Sequence, residues 1–237
     1  MGVPGVDQRP LMKEVVETLS MLVAAPFSID STDPAVVEAG LRNFPGRALI
    51  NSVSDKPGVK EQIFALAKKY GAAVLVLPLE EKGLPRTAEE RLVIAKRLVA
   101  EGKAAGLNDS DFMLDPLVLT AASDGQAPRE TLRTLQQYRK ELGYPTTMGL
   151  SNVSFGLPGR EDINTAFYLM ALASGLDAPI INPCSEKIKT MTAASKVIRG
   201  TDSQGIEYSK NYVEKNIAIS SAPTVTSGDV LAELCQA

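Results

Sequence analysis

The sequence predicts an α/β fold in which successive βα units build a parallel sheet. Two observations carry this. Short runs rich in Val, Ile and Leu alternate with longer stretches whose apolar residues recur at helical spacing. The alternation itself is the pattern of strands joined by crossover helices. With 237 residues, 44% of them hydrophobic and 22% charged, the chain suffices for one sizeable core, and its even composition suggests a single domain over 1–237.

Taken in order, an apolar stripe of Leu11, Met12, Val15, Val16, Leu19 and Val23 predicts an opening helix with no strand before it in this sequence. Strands are expected at about 27–31, 48–53, 73–79, 112–118, 146–152 and 178–182. Helices are expected at 34–42, 59–70, 88–105, 129–142 and 162–173. Their ends are punctuated. Asp33 precedes Pro34, Gly40 falls near the end of that helix, Gly71 ends "KKYG", and "TAEE" at 87–90 is a capping box. Beyond Asn182 the pattern gives a helix at about 185–199, a polar stretch and a short final helix at about 227–235.

Composition excludes several chemistries. A net charge of -3 and a pI near 5.2 provide no basic field for nucleic acid. No apolar run approaches the roughly 18 residues that span a bilayer, and the start lacks signal-peptide character, so a cytoplasmic protein is expected. There is no histidine. Ser-His-Asp and Cys-His catalysis and His-ligated zinc are thereby excluded, and Cys184 and Cys235 lack paired spacing, so no bound metal is expected. Cys184 itself reads as a nearly buried small residue.

The strand ends carry the functional signal. Asp30, Asn51, Asp115, Asn152 and Asn182 stand at or near the ends of five of the six runs. In βα folds that end is where ligands bind. Asp and Asn also favour turns and helix caps, so each position alone has a local explanation. Against this, Asp30, Asn51 and Asp115 lie in or beside apolar runs, where an unpaired polar group is costly. Carboxylates and amides without Lys or Arg suit a neutral heterocycle bearing N–H, amino and carbonyl groups. Arg160, in "GLPGR", is a candidate contact for an anion or a substrate tail, or else a solvated loop residue.

Three blocks, "PFSIDSTDPAVVEAGLRNFPGRALINSVS" (26–54), "LDPLVLTA" (114–121) and "MGLSNVSFGLPGREDINTAFYLMALASGLDAPIINP" (148–183), together resemble the methyltetrahydrofolate:corrinoid methyltransferases. These belong to the pterin-binding barrels, with dihydropteroate synthase and the folate module of cobalamin-dependent methionine synthase. The resemblance covers about residues 1–200. It implies a (β/α)8 TIM barrel, here lacking the first two strands and first helix, with the pterin at its mouth. By the same resemblance, Asp30 faces the pterin N8 side, Asn51 and Asp115 grip the pyrimidine edge, and Asn152 lies near N5, so that Asp30 and Asn152 are the catalytic candidates.

The implied reaction moves the N5-methyl group of 5-methyltetrahydrofolate to a Co(I) corrinoid (cobalamin) carried by a partner corrinoid protein. A homodimer is implied too. Dihydropteroate synthase activity is disfavoured, because it should show a Gly-rich segment after "DP" and a Lys on the seventh strand. A non-catalytic folate-binding or docking module is the alternative from another class, given the absent first elements. A misassigned start or a fragment is expected to account for that absence, the alternative being a genuine short form whose gap something else covers.

Overall fold

In the computed structural model, which describes residues 7–81 and 83–210, the apolar runs form six strands, all parallel to their neighbours and arranged in chain order. They are β1 (Ser28–Asp30), β2 (Leu49–Asp55), β3 (Ala73–Glu80), β4 (Phe112–Leu114), β5 (Thr147–Gly149) and β6 (Ala178–Ile180). The first four make one sheet and the last two another. A parallel bridge from Leu114 to Thr146, with the Leu114 N–H donating to the Pro145 carbonyl at 2.8 Å, carries the order across from β4 to β5. Parallel neighbours in sequential order are consecutive staves of a βα barrel wall.

The helices are α1 (Gln8–Leu22), α2 (Pro34–Asn43), α3 (Val59–Tyr70), α4 (Ala88–Ala104), α5 (Ala127–Glu141), α6 (Arg160–Ser174) and α7 (Glu186–Ile198). Their caps follow the sequence signals. Asp33 Oδ1 accepts from the Ala35 N–H at 2.8 Å, and Thr87 and Glu90 exchange the reciprocal bonds of a capping box at 3.2 and 3.1 Å. Gly71 closes α3 at φ 65°. Gly40 is not a terminator. It lies inside α2, where a Cβ would come within 2.9 Å of Ile29, so its role is the close approach of α2 to β1.

The chain divides into two compact units, Met1–Ile181 and Asn182–Ala237. In the first, the core fills the space between sheet and helices: Ile29, Ile50, Val74 and Phe112 from four adjacent strands meet Val37, Leu41, Ile63, Phe64 and Leu98. The strands β2 and β3 run past their shorter neighbours. Their far ends are held by ion pairs, with Asp55 taking Lys60 of α3 and Arg97 of α4, each at 2.6 Å, and Arg97 also reaching Glu80. The stripe of α1 is only partly covered, for Met12 and Val16 are buried while Leu11, Leu19 and Val23 are exposed.

In the second unit, Ser185 caps α7 by accepting from the Ile188 N–H at 3.2 Å. The buried Asp202 accepts from the Glu207 and Tyr208 N–H groups at 3.1 and 2.9 Å. Cys184 is exposed, not nearly buried as expected from the sequence. The expected final helix and Cys235 lie outside the described residues.

β4 and β5 fall furthest short of their expected runs. β4 stops at Leu114 because Pro116 has no N–H to continue a ladder. β5 stops at Gly149 because residues Leu150–Ser154 wind into a 3-10 turn.

One glycine tests the helix-to-sheet packing. At Gly102 in α4 a Cβ would meet the Phe112 ring at 2.7 Å and Phe64 at 3.1 Å, both in the core. Gly102→Ala should destabilise the fold by about 1–2 kcal/mol, despite alanine's better helix propensity, because overpacking outweighs it. A urea midpoint lowered at unchanged m-value would show it.

Candidate functional site

Parallel register decides which side chains share a face, because side chains alternate along each strand. Two rows cross the sheet. Ile29, Ile50, Val74 and Phe112 are aligned and buried against the helices. The next row, Asp30, Asn51, Leu75 and Met113, therefore faces the opposite way, toward the barrel interior. Asp30 and Asn51 stand side by side, and Leu75 and Met113 continue the same row as an apolar floor.

Asp30 is the last residue of β1 and is exposed. Asn51 does not close its strand. It is the third residue of β2, half-buried, at the level where the short strand β1 ends. Beyond it the Asn51–Ser52 peptide is cis, and the pairing of β2 with β3 slips by one residue.

Asp115 follows Met113 by two positions and so faces the same side one level further up. Its N–H donates to the Val76 carbonyl at 2.9 Å, and its Oδ1 accepts from the Leu117 N–H at 2.7 Å. The carboxyl is pushed up to about 7, chiefly by burial, against the opposing pull of the Leu117 N–H and the nearby Arg91. The turn it caps is strained. Leu117, buried, holds φ 63°, a region L-residues with branched side chains rarely visit.

Asn152 lies on the 3-10 turn after β5, not on the strand itself. It is half-buried, and its amide folds back over Gly149, where a Cβ would stand 3.3 Å from Nδ2. Arg160, the first residue of α6, braces this turn. Its Nε donates to Ser154 Oγ at 3.0 Å and its Nη2 to the Ser151 carbonyl at 2.9 Å, while the guanidinium stacks 4.7 Å from the Phe155 ring centroid.

The loops bearing Asp115 and Asn152 are stitched together. The Ala121 N–H donates to the Val153 carbonyl at 2.9 Å and Thr120 Oγ1 to the Phe155 carbonyl at 2.6 Å. The structure thus sets Asp30, Asn51, Asp115 and Asn152 at one end of the strands of the first unit. Asn182 belongs to the second unit, where its Oδ1 accepts from the Cys184 N–H at 3.0 Å, a local turn bond.

Behind Asp115 stands a group that reasoning from the strand ends missed. Arg91 of α4 is fully buried. Its signal was available, for it lies in helical phase with Ile94, Ala95 and Leu98, all buried, and a charged residue in an apolar stripe needs a reason. Among the described residues no group of three or more His, Cys, Asp or Glu could hold a metal, and no helix is long and apolar enough to cross a membrane.

Six parallel strands in chain order, with helices between them, define part of a (β/α)8-type barrel. The chain belongs to the family of pterin binding enzymes, whose model matches residues 2–182. It is 34% identical over 184 residues to the methionine synthase of Mycobacterium tuberculosis, an alignment covering 72% of this chain and 15% of that protein. It is 26% identical over 211 residues to the methylcorrinoid:tetrahydrofolate methyltransferase of Eubacterium limosum, covering 87% and 77% of the two chains. The fold matches dihydropteroate synthase of Yersinia pestis, solved with a pterine-sulfa conjugate, at TM-score 0.65 and 17% identity over 84% of this chain and 79% of that one. The fold is therefore that of the pterin-binding barrels.

The raised Asp115 carboxyl sets a pH dependence of stability. An unfolded chain would release this proton near 3.8 and the native one near 7, so the native state holds more protons in between. Stability contributed here falls as pH rises from about 4 to about 7, by at most about 1.4 kcal/mol per pH unit, and is flat above. Asp115→Asn should remove that slope, read as urea midpoints across the same range.

Proposed function

We propose that this chain binds 5-methyltetrahydrofolate at the strand ends and transfers the N5-methyl group between it and a corrinoid bound to a partner protein. The observation that carries the reading is the inner row of Asp30 and Asn51 beside Leu75 and Met113, with Asp115 one level above. Such a row offers hydrogen-bonding edge groups next to an apolar floor, which is what a flat, amphipathic bicyclic ring requires.

In this reading Asp115 accepts from two adjacent donors on the pyrimidine edge, a ring N–H and the 2-amino group, and Asn51 pairs with a donor–acceptor edge. A half-buried carboxyl pushed up to about 7 fits the role, since ligand donors would supply the partners that burial withholds. Asp30 faces the N8 side and Asn152 lies near N5.

Transfer is a single displacement. The N5–methyl bond breaks as the methyl carbon bonds to cobalt of the Co(I) corrinoid, a substrate delivered by its own protein. The bonding pair remains on N5, which ends as N–H, so a proton must reach N5 at or before the transition state. Asn152 does not titrate; its part is to hold the protonated N5 through a hydrogen bond. No covalent protein intermediate is needed, in keeping with a chain that has no histidine.

The relatives named methionine synthase and methylcorrinoid:tetrahydrofolate methyltransferase support the reading, although this chain spans only 15% of the length of the former. Calorimetric titration with 5-methyltetrahydrofolate should give saturable binding that Asn51→Ala and Asp115→Ala each weaken by about 10-fold or more. A folded parent that binds no folate would overturn the reading.

Catalysis is tested separately. Asn152→Ala should keep folate affinity within a few-fold and lower the single-turnover rate of methyl transfer to Co(I) cobalamin by about 100-fold. Binding without any transfer by the parent would instead mark a folate-holding module.

A further inference from the structure

Arg91 is the largest fully buried side chain of the chain's described residues, and none of its donors meets a carboxylate. Its Nη1 donates to the Pro116 carbonyl at 3.1 Å, the Leu117 carbonyl at 3.1 Å and Thr131 Oγ1 at 3.2 Å, and its Nε to the Pro85 carbonyl at 3.3 Å. Nη2 is buried without a partner. A buried cation spent on backbone carbonyls costs stability that an apolar side chain of the same volume would not. The segment it holds is the turn that follows Asp115.

We infer that Arg91 is a positioning residue for the ligand-gripping carboxylate: it locks the Asp115–Leu117 turn in its left-handed form and so aims Asp115 at the barrel mouth. The geometry is convergent. Three contacts act on Leu117 alone: Asp115 Oδ1 takes its N–H, Arg91 Nη1 donates to its carbonyl, and Thr131 Oγ1 donates to the same carbonyl at 2.9 Å, sharing its one proton with the Ala127 carbonyl at 3.1 Å. These over-determine a φ of 63° that Leu would otherwise leave. The turn acceptors converge on one nitrogen, Nη1, while Nε anchors the guanidinium separately on the Pro85 carbonyl, a second fixed point on the same plane that a lysine ammonium lacks. Arg91 acts through the turn and need not touch the ligand.

This inference rests on the pterin reading for its main readout, and the test separates the two. Folate affinity is measured for the parent, Arg91→Lys, Asp115→Asn and the double variant. Arg91→Lys should weaken binding by about 10-fold or more in the parent background, in line with the sensitivity of positioned groups to small misplacement. In the Asp115→Asn background the same change should cost less than about 3-fold, because the carboxylate it positions is gone. A general loss of structure would cost equally in both backgrounds and overturns the proposal, as does parent-like affinity in a folded Arg91→Lys.

If Arg91→Lys does not fold, Thr131→Val, which removes one of the three contacts on Leu117, replaces it in the same cycle with the same expectations. A parent that binds no folate would sink the pterin reading alone. Hydrogen exchange then decides the positioning claim: the Leu117 amide should exchange about 10-fold faster in Arg91→Lys than in the parent, and unchanged protection overturns it.

Discussion

Alignment of Ile29 with Ile50, Val74 and Phe112 across four parallel strands is the constraint on which the site depends. Burying that row against the helices leaves the neighbouring row no choice of face, since side chains alternate. A slip of one residue would send Asp30 and Asn51 into the apolar core and expose the four large residues. The cost of that exchange, several buried aliphatic side chains plus two desolvated polar groups, makes the register unambiguous. The same hydrophobic energy that closes the sheet on its helices thus places a carboxylate and an amide at the mouth.

Strands alone do not complete the arrangement. Asp115 and Asn152 lie beyond their strands, on a strained turn and a 3-10 turn, and each depends on side chains that brace it from behind. Arg91 and Thr131 hold the first, and Arg160 with Ser154 holds the second. A backbone bond from Ala121 to Val153 and a side-chain bond from Thr120 to the Phe155 carbonyl tie the two turns together. Loops so stitched can keep functional groups at fixed separation, as a site for a rigid ring system requires.

Much of this was legible in the residues. The six strands, the capping box at Thr87 and the candidate positions all follow from alternation, helical period and turn chemistry acting over a few residues. What escaped was set by longer reach. That Asn51 sits mid-strand depends on β3, whose pairing carries β2 on to Asp55 opposite Glu80. That Arg160, exposed as a loop residue should be, also braces Ser154 and the Ser151 carbonyl depends on the 3-10 turn that cut β5 short. Gly40 looked like a helix stop because its neighbour Ile29, which forbids a side chain there, is remote in sequence. The buried Arg91 was hidden by the habit of reading Arg as surface, although its helical phase pointed inward.

The turn at Asp115 concentrates three costs in one place: a carboxyl held up near 7 by burial, a leucine in the left-handed region, and a buried cation with one unpaired nitrogen. Each alone is a liability of the kind that folding would remove if stability were the only demand. Together they act on one turn, which holds the Asp115 carboxyl by the bond from the Leu117 N–H to its Oδ1. A ligand with two adjacent donors would relieve the first cost on binding, while the other two remain as the rigidity that makes the contact selective. On this argument the instability of the free site and the discrimination proposed for it would have the same source. Relaxing the turn should then yield a chain that is easier to fold and poorer at distinguishing its ligand's edge.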